Sequence, residues 1–375
     1  MMFQHLPFDA AFEQYSAQAT ELLAAFRDGD EDAVRVMHSY HPRFRDSRVP
    51  WLVIEGADVR SAEFGLADAE LTVARGYFFR DWAALVTYAA SGPDVMRFEA
   101  AVEATVDGDL AALRKLLSED PGLVGARSKR VNCFDPPVHG ATLLHYLVAN
   151  GTEHQRQRTP KNAVEIGRAL LEAGADADAL ANLYGGQCTV MSMLVSSCHP
   201  ANVGVQEPLI ELLVDFGASV EPRGEGNWAS PIITALVFGY KGAAETLVKR
   251  GARVDNMVTA AGLDRTDEVR AMLPAADTNT RHQAFSLAAQ LGNLETARLL
   301  LAAGEDPNRY NPEAFHKHCT PLHQVALRGD LAMAKLLVAY GARADIEDTV
   351  YESTAIGWAH HSGKSEIEKF LRTHC

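Results

Sequence analysis

One unit recurs along most of this chain: a short helix, a turn, a second apolar helix and a closing glycine. Its clearest copy is "CTPLHQVALRGDLAMAKLLVAYGARADI", residues 319–346. Thr320 and Pro321 suit an N-cap and a first helical position, and Gly329 and Gly341 suit the two helix ends. Glycine is favoured there because it adopts the left-handed backbone conformation without a Cβ clash. The pattern predicts two short helices per unit.

Other copies keep a similar distance between their first residue and their closing glycine. Matching copies occupy residues 230–251 and 283–304, and further or weaker copies start near Phe98, Thr142, Thr189, Thr259 and Thr354. One pair of short helices cannot bury its apolar face alone, whereas stacked pairs cover one another. The repetition therefore predicts an array of about eight helix pairs with a continuous core.

The motifs "TPLH", beginning at Thr320, and "YGARAD", beginning at Tyr340, resemble the ankyrin repeat, as does "TLLH" from Thr142. The resemblance covers residues 98 to 375. It implies an all-α fold with short hairpins, in which an ankyrin-repeat solenoid carries the helix pairs. It also implies that His323 has a structural role, because the family's histidine at this position bonds to neighbouring backbone and hydroxyl groups.

The segment before the array has a different pattern, with helix pairs interrupted at Gly29 and near Gly76. The second pair resembles a helical segment found ahead of ankyrin arrays in bacterial proteins. The resemblance depends on Asp68, Ala69, Ala74, Arg75, Phe79 and Trp82. We therefore expect a helical N-terminal region in residues 1–95, an ankyrin-repeat array in residues 96–375, and a protein of bacterial type.

Composition argues against several classes of partner and location. The net charge of -14 repels phosphate backbones, so no nucleic acid is expected and a protein with a basic patch is favoured. The chain has no apolar run of about 18 residues and no secretory signal, which predicts a cytoplasmic monomer without membrane contact. Five cysteines without a CxxC pair indicate reduced thiols.

The sequence carries no recognisable catalytic motif, so we expect no enzyme activity, no catalytic residue and no cofactor. His316, His318, Cys319 and His323 lie close together and raise the question of a metal site. Their spacing fits no familiar ligand set, and the hypothesis of ordinary repeat histidines is favoured over metal binding.

Large residues in the hairpins between helix pairs are candidates for partner binding. The concave face of such an array, formed by hairpin tips and first helices, is its default binding surface. Exposed aromatic side chains often anchor protein partners, although each ring could instead cover its own hairpin. The candidates are Tyr184, Trp228, Tyr310, Phe315 and Tyr351. They favour a non-enzymatic scaffold for an unidentified protein partner.

Two neighbouring units carry insertions between their helices, residues 152–162 and 199–208. Arg156, Arg158 and Lys161 in the first insertion form a local cationic spot that suits an acidic peptide, a phosphate or a carboxylate. Alternatively, the arginines pair with nearby Glu153 and Glu165. The first possibility supports a different function, a small-molecule-binding protein or unrecognised enzyme whose pocket is formed by both insertions and the N-terminal region. A bacterial effector or toxin-neutralising protein is a third hypothesis.

Overall fold

The computed structural model describes residues 4–46, 52–54, 56–149, 152–183, 186–226 and 228–374. The fold is predominantly helical, as the sequence predicted. The chain forms two compact units, each with its own interior. Unit 1 is Met1–Ala218 with Gly224–Gly226, and unit 2 is Ser219–Arg223 with Asn227–Cys375. No helix in the described ranges is long and apolar enough to cross a bilayer.

Unit 1 combines helices with one antiparallel pair of strands in its described part. Its helices are α1 (Phe12–Arg27), α2 (Glu31–Tyr40), α3 (Leu66–Gly76), α4 (Trp82–Ala89), α5 (Pro93–Asp107), α6 (Leu110–Glu119), α7 (Leu143–Leu147), α8 (Ala163–Glu172), α9 (Val190–Ser196), α10 (Cys198–Val203) and α11 (Gln206–Asp215). The strands are β1 (Leu180–Leu183) and β2 (Gly186–Thr189), paired from Leu180 with Thr189 to Leu183 with Gly186.

Helices α1 to α4 share a hydrophobic cluster of their own. Tyr15, Met37, Phe79 and Leu85 are among its fully buried side chains. Helix α1 packs on α3, and α3 packs on α2 and α4. Further along unit 1, α5 packs on α7 and α7 on α9, while α6 packs on α8 and α8 on α11. A boundary at residue 95 remains a prediction.

Unit 2 consists of successive pairs of short helices. They are α12 (Pro231–Val237), α13 (Lys241–Lys249), α14 (Met257–Gly262), α15 (Thr266–Met272), α16 (Thr278–Leu291), α17 (Leu294–Ala302), α18 (Pro321–Arg328), α19 (Leu331–Ala339), α20 (Ala355–His361) and α21 (Ser365–His374). The first helices α14, α16, α18 and α20 pack on one another in turn, as do the second helices α15, α17, α19 and α21.

This packing gives unit 2 a hydrophobic cluster that extends from Met257 to Leu371. Leu322 in α18 and Leu337 in α19 are fully buried in it. Burying one such side chain stabilises the fold by roughly 1.5–3 kcal/mol, so successive pairs depend on each other for most of their stability. The number of repeats in the whole chain stays a prediction.

Gly341 ends α19 in the way that the sequence predicted. Its φ is +88°, its N–H bonds to the carbonyl of Val338 at 2.9 Å, and the Ala342 N–H bonds to that of Leu337 at 2.9 Å. These bonds satisfy carbonyls at the end of the helix. A Cβ at this position would have no heavy atom within 4 Å, so any cost of a side chain comes from the backbone conformation alone.

We expect Gly341→Val to lower the free energy of unfolding by about 1–3 kcal/mol, because a β-branched residue is strained in the left-handed region. Urea unfolding followed by circular dichroism measures this loss. Gly341→Asn is the matched control and should cost less, since asparagine tolerates this conformation. Equal stability of the valine variant and the parent would contradict the assignment of strain.

Candidate functional site

Two adjacent hairpins of unit 2 are fixed to each other by hydrogen bonds. We call residues 305–319 hairpin A and residues 343–354 hairpin B. The hydroxyl of Tyr310 donates to the carbonyl of Glu347 at 2.6 Å, and the Thr349 N–H donates to the carbonyl of His318 at 2.8 Å. The side chain of Asn308 accepts a bond from the Arg343 N–H at 2.8 Å. The two hairpins therefore present one continuous surface.

Hairpin B is organised around the carboxylate of Asp348, which is only 2% exposed. This carboxylate accepts backbone N–H bonds from Val350 at 2.9 Å, Tyr351 at 2.6 Å and Ser353 at 3.2 Å. The indole Nε1–H of Trp358 donates a fourth bond at 2.9 Å. Burial by itself raises the pKa of Asp348, but these donors outweigh burial and hold the pKa below its usual value. The carboxylate is therefore ionised and holds the loop in one conformation.

Three aromatic rings converge above this carboxylate. We call His318, Tyr351 and Trp358 the aromatic cluster. Its ring centroids are 5.8 Å apart for His318 and Trp358, 6.2 Å for Tyr351 and Trp358, and 6.3 Å for His318 and Tyr351. Tyr351 is 55% exposed, and the adjacent Glu352 is exposed with a φ of +51°. The cluster thus offers aromatic faces and a carboxylate to solvent.

The predicted aromatic contacts differ in exposure. Tyr310 is 40% exposed and Tyr351 belongs to the aromatic cluster, so both lie on the surface of hairpins A and B. The expectation of an exposed ring at Phe315 is wrong, since this side chain is only 5% exposed. A ring of this size stabilises a small hairpin more by burial than by exposure. Trp228 is half-buried against Phe238, with centroids 5.2 Å apart, and Tyr184 lies outside the described residues.

Sequence reasoning missed two members of the cluster. His318 is predicted to be an ordinary repeat histidine, and Trp358 lies in the copy that starts near Thr354, for which the sequence predicts no binding residue. A usable signal exists for Trp358: it lies in the first helix of its pair, and first helices line the binding face of such arrays. Nothing comparable in the sequence identifies His318.

His323 has the structural role that the resemblance implied. Its Nδ1 accepts a bond from the Thr320 N–H at 3.2 Å, and its Nε2 donates to the carbonyl of Ser353 at 3.1 Å. It therefore ties the start of α18 to hairpin B. His145 repeats the arrangement in unit 1, with Thr142 at 3.3 Å and the carbonyl of Cys188 at 3.4 Å. Both rings are neutral, because burial lowers the pKa of each histidine.

The first insertion forms a buried ion-pair cluster, which we define as Glu99, Arg130, Glu153 and Arg156. Arg156 Nη1 lies 2.7 Å from Glu99 and 3.0 Å from Glu153, and Arg130 lies 3.4 Å from Glu99 and 3.6 Å from Glu153. Burial raises the pKa of Glu153, but Arg130 and Arg156 outweigh it and lower the pKa well below its usual value. Two carboxylates and two guanidiniums thus neutralise each other away from water.

The buried ion-pair cluster also joins the insertion to the N-terminal helices. Arg130 donates to the carbonyl of Tyr77 at 3.1 Å, and its guanidinium lies over the rings of Phe79 and Tyr88 at 4.3 and 4.6 Å. Tyr88 in turn donates to Glu99 at 3.1 Å. The charged groups therefore connect α3, α4 and α5 with the loop before α8.

These contacts correct the expected anion site. Arg156 is 2% exposed and already paired, so its charge does not face solvent. Arg158 is 41% exposed and pairs with Asp107 at 2.6 Å and Glu103 at 3.1 Å. The predicted pairing with Glu153 occurs at Arg156, whereas the described carboxylate partners of Arg158 are on α5 and do not include Glu165. Lys161 is exposed at the surface.

Comparison with known proteins identifies part of the chain. The family model for ankyrin repeats, in three copies, matches residues 285–374, so this segment consists of ankyrin repeats. The ARF GTPase-activating protein GIT1 of Homo sapiens is 41% identical over 80 residues, which are 21% of this chain and 10% of that protein. The ankyrin repeat and KH domain-containing protein mask-1 of Caenorhabditis elegans is 25% identical over 215 residues, 55% of this chain and 8% of that protein.

The match thus spans a tenth or less of the length of these relatives. Both are eukaryotic proteins and give no support to the predicted bacterial type. Among solved structures, the human ASB11 ankyrin repeat domain is 20% identical, with a TM-score of 0.36, and covers 73% of this chain and 97% of that chain. This similarity is too low to support an inference about the fold.

We expect Arg156→Met to lower the free energy of unfolding by about 3–5 kcal/mol, because Glu99 and Glu153 then share one buried cation. Arg158→Met is the control and should cost less than about 1 kcal/mol, since its ion pairs are partly solvated. Adding Glu99→Gln to Arg156→Met should restore part of the loss by removing the excess charge. Urea unfolding measures all three, and similar losses at Arg156 and Arg158 would contradict the role of the cluster.

A second expectation concerns pH. Burial lowers the pKa of His145 from 6.5 in the unfolded chain to about 3 in the folded protein. The stability that the neutral His145 ring contributes is therefore fully present above pH 6.5. It is lost as the pH falls from 6.5 toward 3, and the loss reaches about 2 kcal/mol near pH 5. The stability difference between the parent and His145→Gln should therefore shrink by this amount between neutral pH and about pH 5. A difference that is constant with pH would contradict this assignment.

Proposed function

We propose that this chain is a non-enzymatic scaffold that binds another protein through hairpins A and B and the first helices α18 and α20. Ankyrin repeats generally mediate protein–protein interaction, and both hairpins flank helices of the matched segment, residues 285–374. The observation that carries the proposal is the exposure of Tyr310 and Tyr351 on hairpins held together by hydrogen bonds. Rigid aromatic side chains lose little conformational entropy when they bind.

The proposal includes the organisation of the whole chain. We infer that residues 1–95 form a helical region that braces the first helix pair and that residues 96–375 form the array of about eight pairs. The contacts of Arg130 with Tyr77, Phe79 and Tyr88 support this bracing role. A cytoplasmic monomer is part of the same proposal, and the bacterial type stays a prediction. A pocket around Arg156 is not favoured, because its charge is already neutralised.

The proposal predicts that Tyr351→Ala and Tyr310→Ala each reduce capture of the partner from a native lysate by at least about tenfold, as expected for central aromatic contacts. The melting temperature should stay nearly unchanged for Tyr351→Ala, since its ring is more than half exposed. Quantitative mass spectrometry of the captured proteins measures the effect.

Tyr340→Ala provides the matched control, because Tyr340 is also 40% exposed but lies at the end of the second helix α19. Its capture should equal that of the parent. Undiminished capture by both hairpin variants, or an equal loss in the control, would refute the proposed surface.

A further inference from the structure

The tip of hairpin B carries negative charge that no basic side chain in the described residues neutralises. Glu347 and Glu352 are exposed, and Asp348 is ionised beneath the aromatic rings. The neighbouring basic residues have their own partners: Arg343 pairs with Asp345 at 2.8 Å and Lys317 with Glu313 at 2.8 Å. The buried charge of Asp348 is stabilised by N–H donors and not by a cation. Its field therefore favours a cation at the outer face of the rings.

The rings themselves attract positive charge. The face of a tyrosine or tryptophan ring carries the negative part of its quadrupole and attracts a cation within about 6 Å. His318 adds a third face that does not repel the cation. Burial and the neighbouring His316 lower the pKa of His318, with Asp348 opposing them, so the ring is neutral at pH 7. The aromatic ring faces and the negative charge of hairpin B therefore both attract a cation at this surface.

Ring spacing decides which cation fits. A group held between two aromatic faces needs the faces roughly 7 Å apart, about 3.5 Å on each side. Here Tyr351 meets His318 and Trp358 edge-to-face, with interplanar angles of 77° and 72° and centroids 6.3 and 6.2 Å apart, and His318 lies 5.8 Å from Trp358 at 33°, so the rings contact each other and leave no gap that would enclose a round ammonium group. A cation therefore has to lie across the exposed outer face, and Glu352, the residue after Tyr351, is exposed as well. A planar guanidinium suits this position, because it stacks on an aromatic ring while pairing with a carboxylate.

We propose that the aromatic cluster and Glu352 form a receptor for one arginine side chain of the partner, an inference that rests on the protein-binding function proposed above. Tyr351 supplies the exposed stacking face and Glu352 the pairing carboxylate. Trp358 contacts the Tyr351 ring edge-to-face, and Asp348 accepts bonds from the indole N–H of Trp358 and the backbone N–H of Tyr351. The preferred partner segment is therefore basic, which agrees with the charge of -14 on this chain.

The test uses N-acetyl-arginine methylamide as the probe and the indole N–H resonance of Trp358 as the readout, assigned with Trp358→Phe. The probe should shift this resonance saturably, in the roughly millimolar range of a single side-chain contact. The citrulline derivative has nearly the same shape without the charge and should cause no saturable shift. The lysine derivative and tetramethylammonium should bind more weakly, because neither is planar.

Variants separate the two contacts. Tyr351→Leu should weaken probe binding about two- to fivefold, since it removes the π face and keeps an apolar side chain. The loop should keep its fold, because Tyr351 bonds to Asp348 through its backbone N–H. Glu352→Gln should weaken binding about two- to fivefold, with a weaker dependence on salt. Tyr340→Leu should leave binding unchanged.

The outcomes distinguish this inference from the function it rests on. If Tyr351→Ala loses partner capture but the probe does not bind to the parent, the arginine receptor is overturned and the proposed scaffold function stands. If Tyr351→Leu weakens probe binding while neither Tyr351→Ala nor Tyr310→Ala reduces partner capture, the arginine site is supported and the proposed binding surface is refuted. Equal binding of the citrulline derivative, or tighter binding of tetramethylammonium, overturns the assignment of a guanidinium.

Discussion

The helix pairs of unit 2 cannot bury their apolar sides without their neighbours, and the rest of the unit depends on this mutual packing. First helices pack on first helices and second on second, with Leu322 and Leu337 fully buried between them. Glycines such as Gly341 end the second helices in a left-handed conformation, and the following residues form a hairpin. Because the helices provide the stability, residues at the hairpin tips such as Tyr351 are free to serve binding.

Two buried charged sites, one in each unit, are stabilised differently. In unit 1, Arg130 and Arg156 neutralise Glu99 and Glu153 within the interior, so the cluster serves packing and offers no net charge to a ligand. In unit 2, Asp348 is buried with N–H donors alone and keeps its negative charge. The cost of desolvating a charge is therefore offset by opposite charges at the first site and by N–H dipoles at the second. Only the second solution leaves a field that attracts a cation.

Features set by local sequence could be predicted well. The helix end at Gly341 depends on the absence of a Cβ, and the role of His323 depends on a threonine three residues earlier, so both can be read within one unit. The burial of Phe315 could not be predicted, because it depends on how its hairpin folds back. The partners of Arg156 could not be predicted either: Glu99 lies 57 residues earlier in the sequence, and only folding brings it within 2.7 Å.

The sequence by itself determined the repeating helix pairs, their glycine ends and the histidines that cap them, because each depends on residues a few positions apart. Tertiary structure alone decided which charges and rings meet. His318, Tyr351 and Trp358 belong to two hairpins and a helix, and their convergence requires hairpin A to bond to hairpin B. Local preferences follow from neighbours along the chain, whereas a binding surface follows from contacts between segments that the chain order does not specify.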